Sequence, residues 1–153
     1  GEAGEKFGMV PCGLAWRDTL RLEAGMPLYG HELTLDIRPA QAGLGKVVAL
    51  SKEGDFVGRS ASEKDLPADA PVLVALVGEG KRAARADYEL FVGDEKVGIV
   101  TSGALSPTLG FPVALAYVHP AHSAVGHVID VDVRGTRIPF TVSTLPFYRR
   151  KKD

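Results

Sequence analysis

The chain has 153 residues, 45% of them hydrophobic and 24% charged, with a formal net charge of -1. This profile excludes a disordered or membrane-spanning chain, and a charge so near zero gives no general attraction to nucleic acid or to an anionic membrane. The single cysteine, Cys12, excludes an internal disulfide and fits a reducing compartment, so the cytoplasm is the expected location.

Eighteen glycines and ten prolines favour many turns and short strands over long helices. The opening "GEAGEKFG" reads as an exposed lead-in with no initiating methionine and no apolar signal segment, as expected of a piece of something longer. The next stretch, "GLAWRDTLRLEAG", predicts a helix over about 14–24: no proline interrupts it, and Gly25 supplies a left-handed stop. Arg17 and Arg21 are four apart, and Asp18 and Arg21 three apart, so these groups share one side. Two readings of Arg17 stand open. It pairs with Asp18, Glu23 or a neighbouring strand, or its rigid, always charged fork is aimed at a ligand's carboxylate or heterocycle edge.

Further on, "HELTLDI" alternates Leu33, Leu35 and Ile37 and predicts an extended segment, and "KVVAL" predicts a short strand. "DFVGRSASEK" predicts a short helix capped by Asp55. "SEKDLPADAP" carries charge and two prolines without apolar periodicity, which marks a linker. Beyond it the pattern is β throughout, with "PVLVALVG", "ELFVGDEKVGIVTSG", "VALAYVH" and "HVIDVDVRGTRIPFTVSTLPF" separated by turn residues. Hairpins are expected at Gly93, Asp94 and Glu95 and at "RGT", where Val131 and Val133 alternate with Asp130, Asp132 and Arg134. Such strands close into a small antiparallel barrel, and because about 80 residues is short for a self-sufficient core, the preceding part is expected to pack against it.

Most candidate chemistry resolves into structure. His119, His122 and His127 lack a joining carboxylate or cysteine cluster, so a surface loop is preferred to a metal site, and His31 is read as a hydrogen-bonded structural residue. Cys12 has no basic neighbour to activate it. Thr101, Ser102 and Ser106 in "VTSGALSPTLG" read as turn chemistry rather than a nucleophile, because nothing nearby offers an oriented base. "VGEGKR" lacks phosphate-loop spacing, scattered aromatics form no stacking platform, and the tail "RRKKD" reads as a solvated end.

Several motifs resemble a known family. "PCGLAWRDTLRLEAGMPLYGHEL" resembles a signature of the aminomethyltransferases, the T-proteins of the glycine cleavage system, and "GDFVGRSA", "VGIVTSGALSPTLGFPVALAYV" and "LPFYRR" resemble later ones in the same order. The resemblance runs from about Phe7 to the end of the chain. It implies a chain that is mainly β with a few helices (α+β), the closing part of a folate-binding domain followed by a small antiparallel C-terminal β-barrel. The implied division is 1–62 for the folate-binding part, 63–70 for a linker, 71–148 for the barrel and 149–153 for a basic tail. The family moves the one-carbon unit of aminomethyl-lipoyl H-protein to tetrahydrofolate and releases ammonia. Tetrahydrofolate is thus the implied cofactor, and lipoylated H-protein the implied partner.

The resemblance also implies site residues. Arg17 matches the arginine of the family's "ARD" motif, which contacts folate or substrate, and Asp18 and Glu23 are then expected to hold Arg17 and Arg21 in place. Trp16 replaces a small residue beside it. Lys46 stands where many members carry a tryptophan lining the folate site, and its ammonium is expected to approach folate's carboxylates instead. Arg85 matches a recurrent arginine, expected to bridge barrel and folate domain. The family's essential aspartate has no counterpart in these residues, so no catalytic residue is assigned and the chain alone is expected to be inactive. Exposed apolar surface in the first 60 residues is expected to cause self-association. Two alternatives remain: the C-terminal segment of a related folate-dependent demethylase or dimethylglycine or sarcosine oxidising enzyme, and a non-catalytic docking or lid module.

Overall fold

The computed structural model describes residues 2–150; the last three residues of the basic tail lie outside the described residues. Strands β1 (Val72–Gly78), β2 (Glu89–Val92), β3 (Glu95–Leu105), β4 (Pro112–Val118), β5 (Val128–Val133) and β6 (Thr136–Ser143) form a closed barrel. Its order is β1-β4-β3-β2-β5-β6, and every pair is antiparallel. Closure falls between β1 and β6, where Gly78 faces Phe140; a Cβ at Gly78 would lie 2.7 Å from that ring. No strand of the barrel is left with a free edge. Both expected hairpins form. Gly93 takes φ 61°, while Arg134 and Gly135 take φ 55° and 84°, the paired left-handed residues of a two-residue hairpin turn.

The barrel interior holds Leu76, Leu90, Val100, Val131, Phe140 and Val142. A second apolar cluster lies outside it, where Leu22, Ala104, Val113 and Leu115 pack with Leu145 and Phe147. These two cores explain β4, which is buried at every position because one face fills the barrel and the other meets this outer layer.

The outer layer is built on helix α2 (Leu14–Glu23), which follows the four-residue α1 (Glu2–Glu5). α2 ends as its sequence predicts. Gly25 adopts φ 70°, its N–H donates to Leu22 O, and the Met26 N–H donates to Arg21 O at 2.8 Å, the paired bonds of a glycine C-cap. Between α2 and β1 the chain is mostly turns. Gln41 ties this stretch to the barrel, accepting from Leu73 N at 2.9 Å and donating to Pro71 O at 3.1 Å.

Three local expectations are corrected. "HELTLDI" is not extended: Leu33 N–H bonds back to Leu28 O, and the only bridge there is the isolated pair Tyr29 and Leu33. "KVVAL" enters a 3-10 turn, Gly45–Val47, rather than a strand. The helix near "DFVGRSASEK" shrinks to α3 (Arg59–Glu63) with Gly58, not Asp55, at its N-cap; the Asp55 carboxylate accepts from Phe56 N instead.

Candidate functional site

The charged residues of α2 divide into two kinds. Arg21 and Glu23 turn toward the barrel, whereas Arg17 is exposed and makes no side-chain hydrogen bond or ion pair among the described residues. Arg21 is the hub. Its Nε donates to Asp18 Oδ1 at 2.8 Å, its Nη1 to Glu32 Oε2 at 2.9 Å and to Met26 O at 3.2 Å, and its Nη2 to Ser102 Oγ at 2.7 Å. Glu32 is fully buried, and its Oε2 also accepts from Leu28 N at 2.8 Å. Its backbone carbonyl accepts from the Tyr117 hydroxyl at 2.7 Å. The Tyr117 phenol is pushed up to about 12, first by burial and then by the Glu32 carboxylate, both of which disfavour a phenolate.

Glu23 is buried at the C-terminal end of α2 and grips the turn after β3. Its carboxylate accepts from the Ser106 hydroxyl, from Thr108 N at 3.2 Å and from Thr108 Oγ1 at 2.8 Å. The expectation that Asp18 and Glu23 hold both arginines is therefore corrected: Asp18 holds Arg21 alone, and Glu23 belongs to the barrel turn. Ser106 also stabilises its turn as read from sequence, accepting from Leu109 N at 2.9 Å.

A β-bulge makes this interface possible. Pairing along β3 and β4 runs Val100 with Ala116, then Ser102 with Leu115, so Thr101 is an extra residue. With Thr101 paired in a regular strand Val100, Ser102 and Ala104 would share a face; with the bulge Val100 points into the barrel while Ala104 joins the outer core with Leu22. Ser102, Ala104 and Ser106 then meet Arg21, Leu22 and Glu23 in turn. Sequence reasoning missed these anchors because each partner lies far away along the chain, 81 residues for Arg21 with Ser102 and 83 for Glu23 with Ser106. The available signal was the interleaving of charge with apolar positions, Arg21 and Glu23 flanking Leu22 just before Gly25.

Lys46 is exposed on the 3-10 turn and, among the described residues, makes no side-chain hydrogen bond or ion pair, so the structure does not bring it together with Arg17 through any shared partner. A groove of about 420 Å³ beside α2 is lined by Ala15, Trp16, Thr19, Leu20, Pro107 and Thr108, neither Arg17 nor Lys46 among them. Arg85 donates to Gly103 O at 3.3 Å, a contact within the barrel and not the expected bridge out of it. It also lines a concavity of about 610 Å³ with Lys81, Arg82 and Arg134, a cationic cleft at one barrel end without a carboxylate in its lining. His31 Nδ1 lies 3.0 Å from Thr101 O, and His122 and His127 lie 3.2 Å apart in the β4–β5 connection. Among the described residues no three or more His, Cys, Asp or Glu side chains converge as a metal site.

A closed antiparallel barrel, bolted by buried charge to helix α2 of the mixed segment that precedes it, defines a small barrel domain with a helical outer layer. Residues 1–52 match the description "GCVT N-terminal domain", and residues 72–149 match "Glycine cleavage T-protein C-terminal barrel domain". The chain belongs to the glycine cleavage T-protein family. It is 57% identical to an aminomethyltransferase of Streptomyces avermitilis, over 99% of this chain and 42% of that protein. It is 61% identical to one of Cutibacterium acnes, over 93% of this chain and 38% of that protein. The crystal structure of the glycine cleavage system aminomethyltransferase T from Bartonella henselae superimposes with TM-score 0.82 at 35% identity, covering 89% of this chain and 39% of that one. The chain thus spans about two fifths of the relatives it matches. Among the described residues no helix is long and apolar enough to cross a membrane.

Proposed function

We propose that this chain supplies the C-terminal portion of a tetrahydrofolate-dependent aminomethyltransferase, which passes the one-carbon unit of aminomethyl-lipoyl H-protein to tetrahydrofolate with release of ammonia. Its folate-binding part is taken as 1–62, its linker as 63–70 and its barrel as 71–148, and it works in the cytoplasm. The observation that carries this reading is Arg17. On a helix whose other charged side chains are engaged, its guanidinium alone is left exposed and unpaired among the described residues, at the position of the family's "ARD" arginine.

In this reading Arg17 meets the folate or the substrate, and Lys46 approaches folate's carboxylates as a mobile point charge. The cationic cleft of Lys81, Arg82, Arg85 and Arg134 is suited to an acidic face of a partner such as H-protein. The polarising aspartate of the family belongs to residues outside this chain, so the chain alone binds without turning over.

The test is calorimetric titration of tetrahydrofolate, and separately of lipoylated H-protein, into this chain, with Arg17→Ala and Lys46→Ala as controls. Folate binding weakened by both substitutions supports the reading. Binding indifferent to Arg17 removes Arg17 from the site, and indifference to Lys46 removes the second contact. H-protein heat without aminomethyl turnover supports a docking portion, whereas turnover by the chain alone would refute the assignment of the aspartate elsewhere.

A further inference from the structure

The barrel holds α2 through apolar packing of Leu22, through the Tyr148 N–H, which donates to Glu23 O at 2.9 Å, and through polar side chains aimed by the bulge at Thr101 and by the turn that follows β3. Ser102 takes the inner end of the Arg21 guanidinium, Leu22 fills the apolar step over Ala104, and Ser106 and Thr108 close on the Glu23 carboxylate. Three successive helix residues are thus held at both ends of a short stripe, which fixes the rotation of α2 about its axis as well as its position along it. Arg17 lies four residues before Arg21 along the helix, and among the described residues no side-chain hydrogen bond or ion pair of its own sets its direction.

We infer that the barrel is a positioning device: Ser102, Ser106 and Thr108 act through Arg21 and Glu23 to present Arg17 to the folate at a fixed angle. The inference rests on the proposed role of Arg17 as a folate contact. A guanidinium on a locked helix loses less freedom when it binds than one on a helix free to roll, so the anchors act on affinity without touching the ligand. Thr108 is the informative member, being an exposed residue whose hydroxyl serves Glu23 at 2.8 Å.

The experiment is a double-mutant cycle on tetrahydrofolate affinity in the full-length protein, joining Ser102→Ala with Thr108→Val in backgrounds carrying Arg17 or Arg17→Ala. With Arg17 present the pair is expected to raise the folate Kd about five- to tenfold, the effect of one or two lost hydrogen bonds. Thr108→Ser is expected to keep wild-type affinity, and in the Arg17→Ala background the pair is expected to change Kd by less than about twofold. An equal loss in both backgrounds would overturn the inference, since general loosening of the fold would act regardless of Arg17. No loss with Arg17 present would overturn it as well. If Arg17→Ala alone leaves Kd unchanged, the folate reading of Arg17 fails and the positioning role falls with it. Thr108→Val by itself, at an exposed position, keeps the test open should the Ser102 variant fold poorly.

Discussion

Tyr117 shows how a single buried group carries the join between the two parts of the chain. Its hydroxyl donates to the Glu32 carbonyl, and Glu32 in turn accepts from Arg21 on α2. The phenol stands at about 12 against an ordinary 10.0, burial being the larger cause and the Glu32 carboxylate the second. The unfolded chain releases this proton near its ordinary value, so the contribution of the neutral phenol is complete below about pH 10 and is lost as the pH climbs to about 12. The amount at stake is on the order of 2 kcal/mol. Urea denaturation is therefore expected to show the wild type more stable than Tyr117→Phe by about 1 kcal/mol near neutrality, with the gap closing above about pH 11. Stability curves that stay parallel over that range would show that Tyr117 does not sense its surroundings in this way.

At the level of elements, β3 and β4 approach so closely that only glycine fits at one crossing. A Cβ on Gly98 would lie 2.2 Å from the Tyr117 carbonyl oxygen and 3.0 Å from Val118 Cα, and backbone atoms cannot swing aside as a side-chain tip does. Gly98→Ala is expected to cost about 1 to 3 kcal/mol, read as a lowered thermal midpoint. An unchanged midpoint would mean that the two strands separate freely there. The barrel itself was legible because its signals are local: alternating Val131 and Val133, turn residues at Gly93 and Gly135, and apolar runs of strand length. The preceding part was less so. Leu33, Leu35 and Ile37 alternate as a strand would, yet Leu35 is 95% exposed because the backbone there spends its hydrogen bonds in turns and has no neighbouring strand to join. Arg17 as a ligand candidate was read from a motif, while the roles of Arg21 and Glu23 depended on partners that no local pattern names.

Across the whole molecule the apolar surface is unevenly shared. Phe7, Leu14 and Trp16 are 79%, 88% and 61% exposed, and Val10, Met26 and Val57 are also uncovered, whereas the barrel exposes few large apolar side chains. A surface of this kind drives association. Light scattering is expected to give a mass that rises with concentration, and Leu14→Lys with Trp16→Lys to bring it back toward the monomer. A clean monomer at high concentration would show that the first 60 residues tolerate water as they stand.

The extra residue at Thr101 has a consequence for how this protein can change. Val100 and Ala104 serve different cores only because one residue between them is out of step. Drawing Thr101 into the regular ladder would act like a frameshift confined to one strand, turning Ser102 and Ala104 inward and leaving α2 facing the wrong side chains. Grafting a barrel from a distant relative onto this helix would succeed only where the donor's third strand turns the same kind of side chains as Ser102 and Ala104 toward it, however well the two folds superimpose.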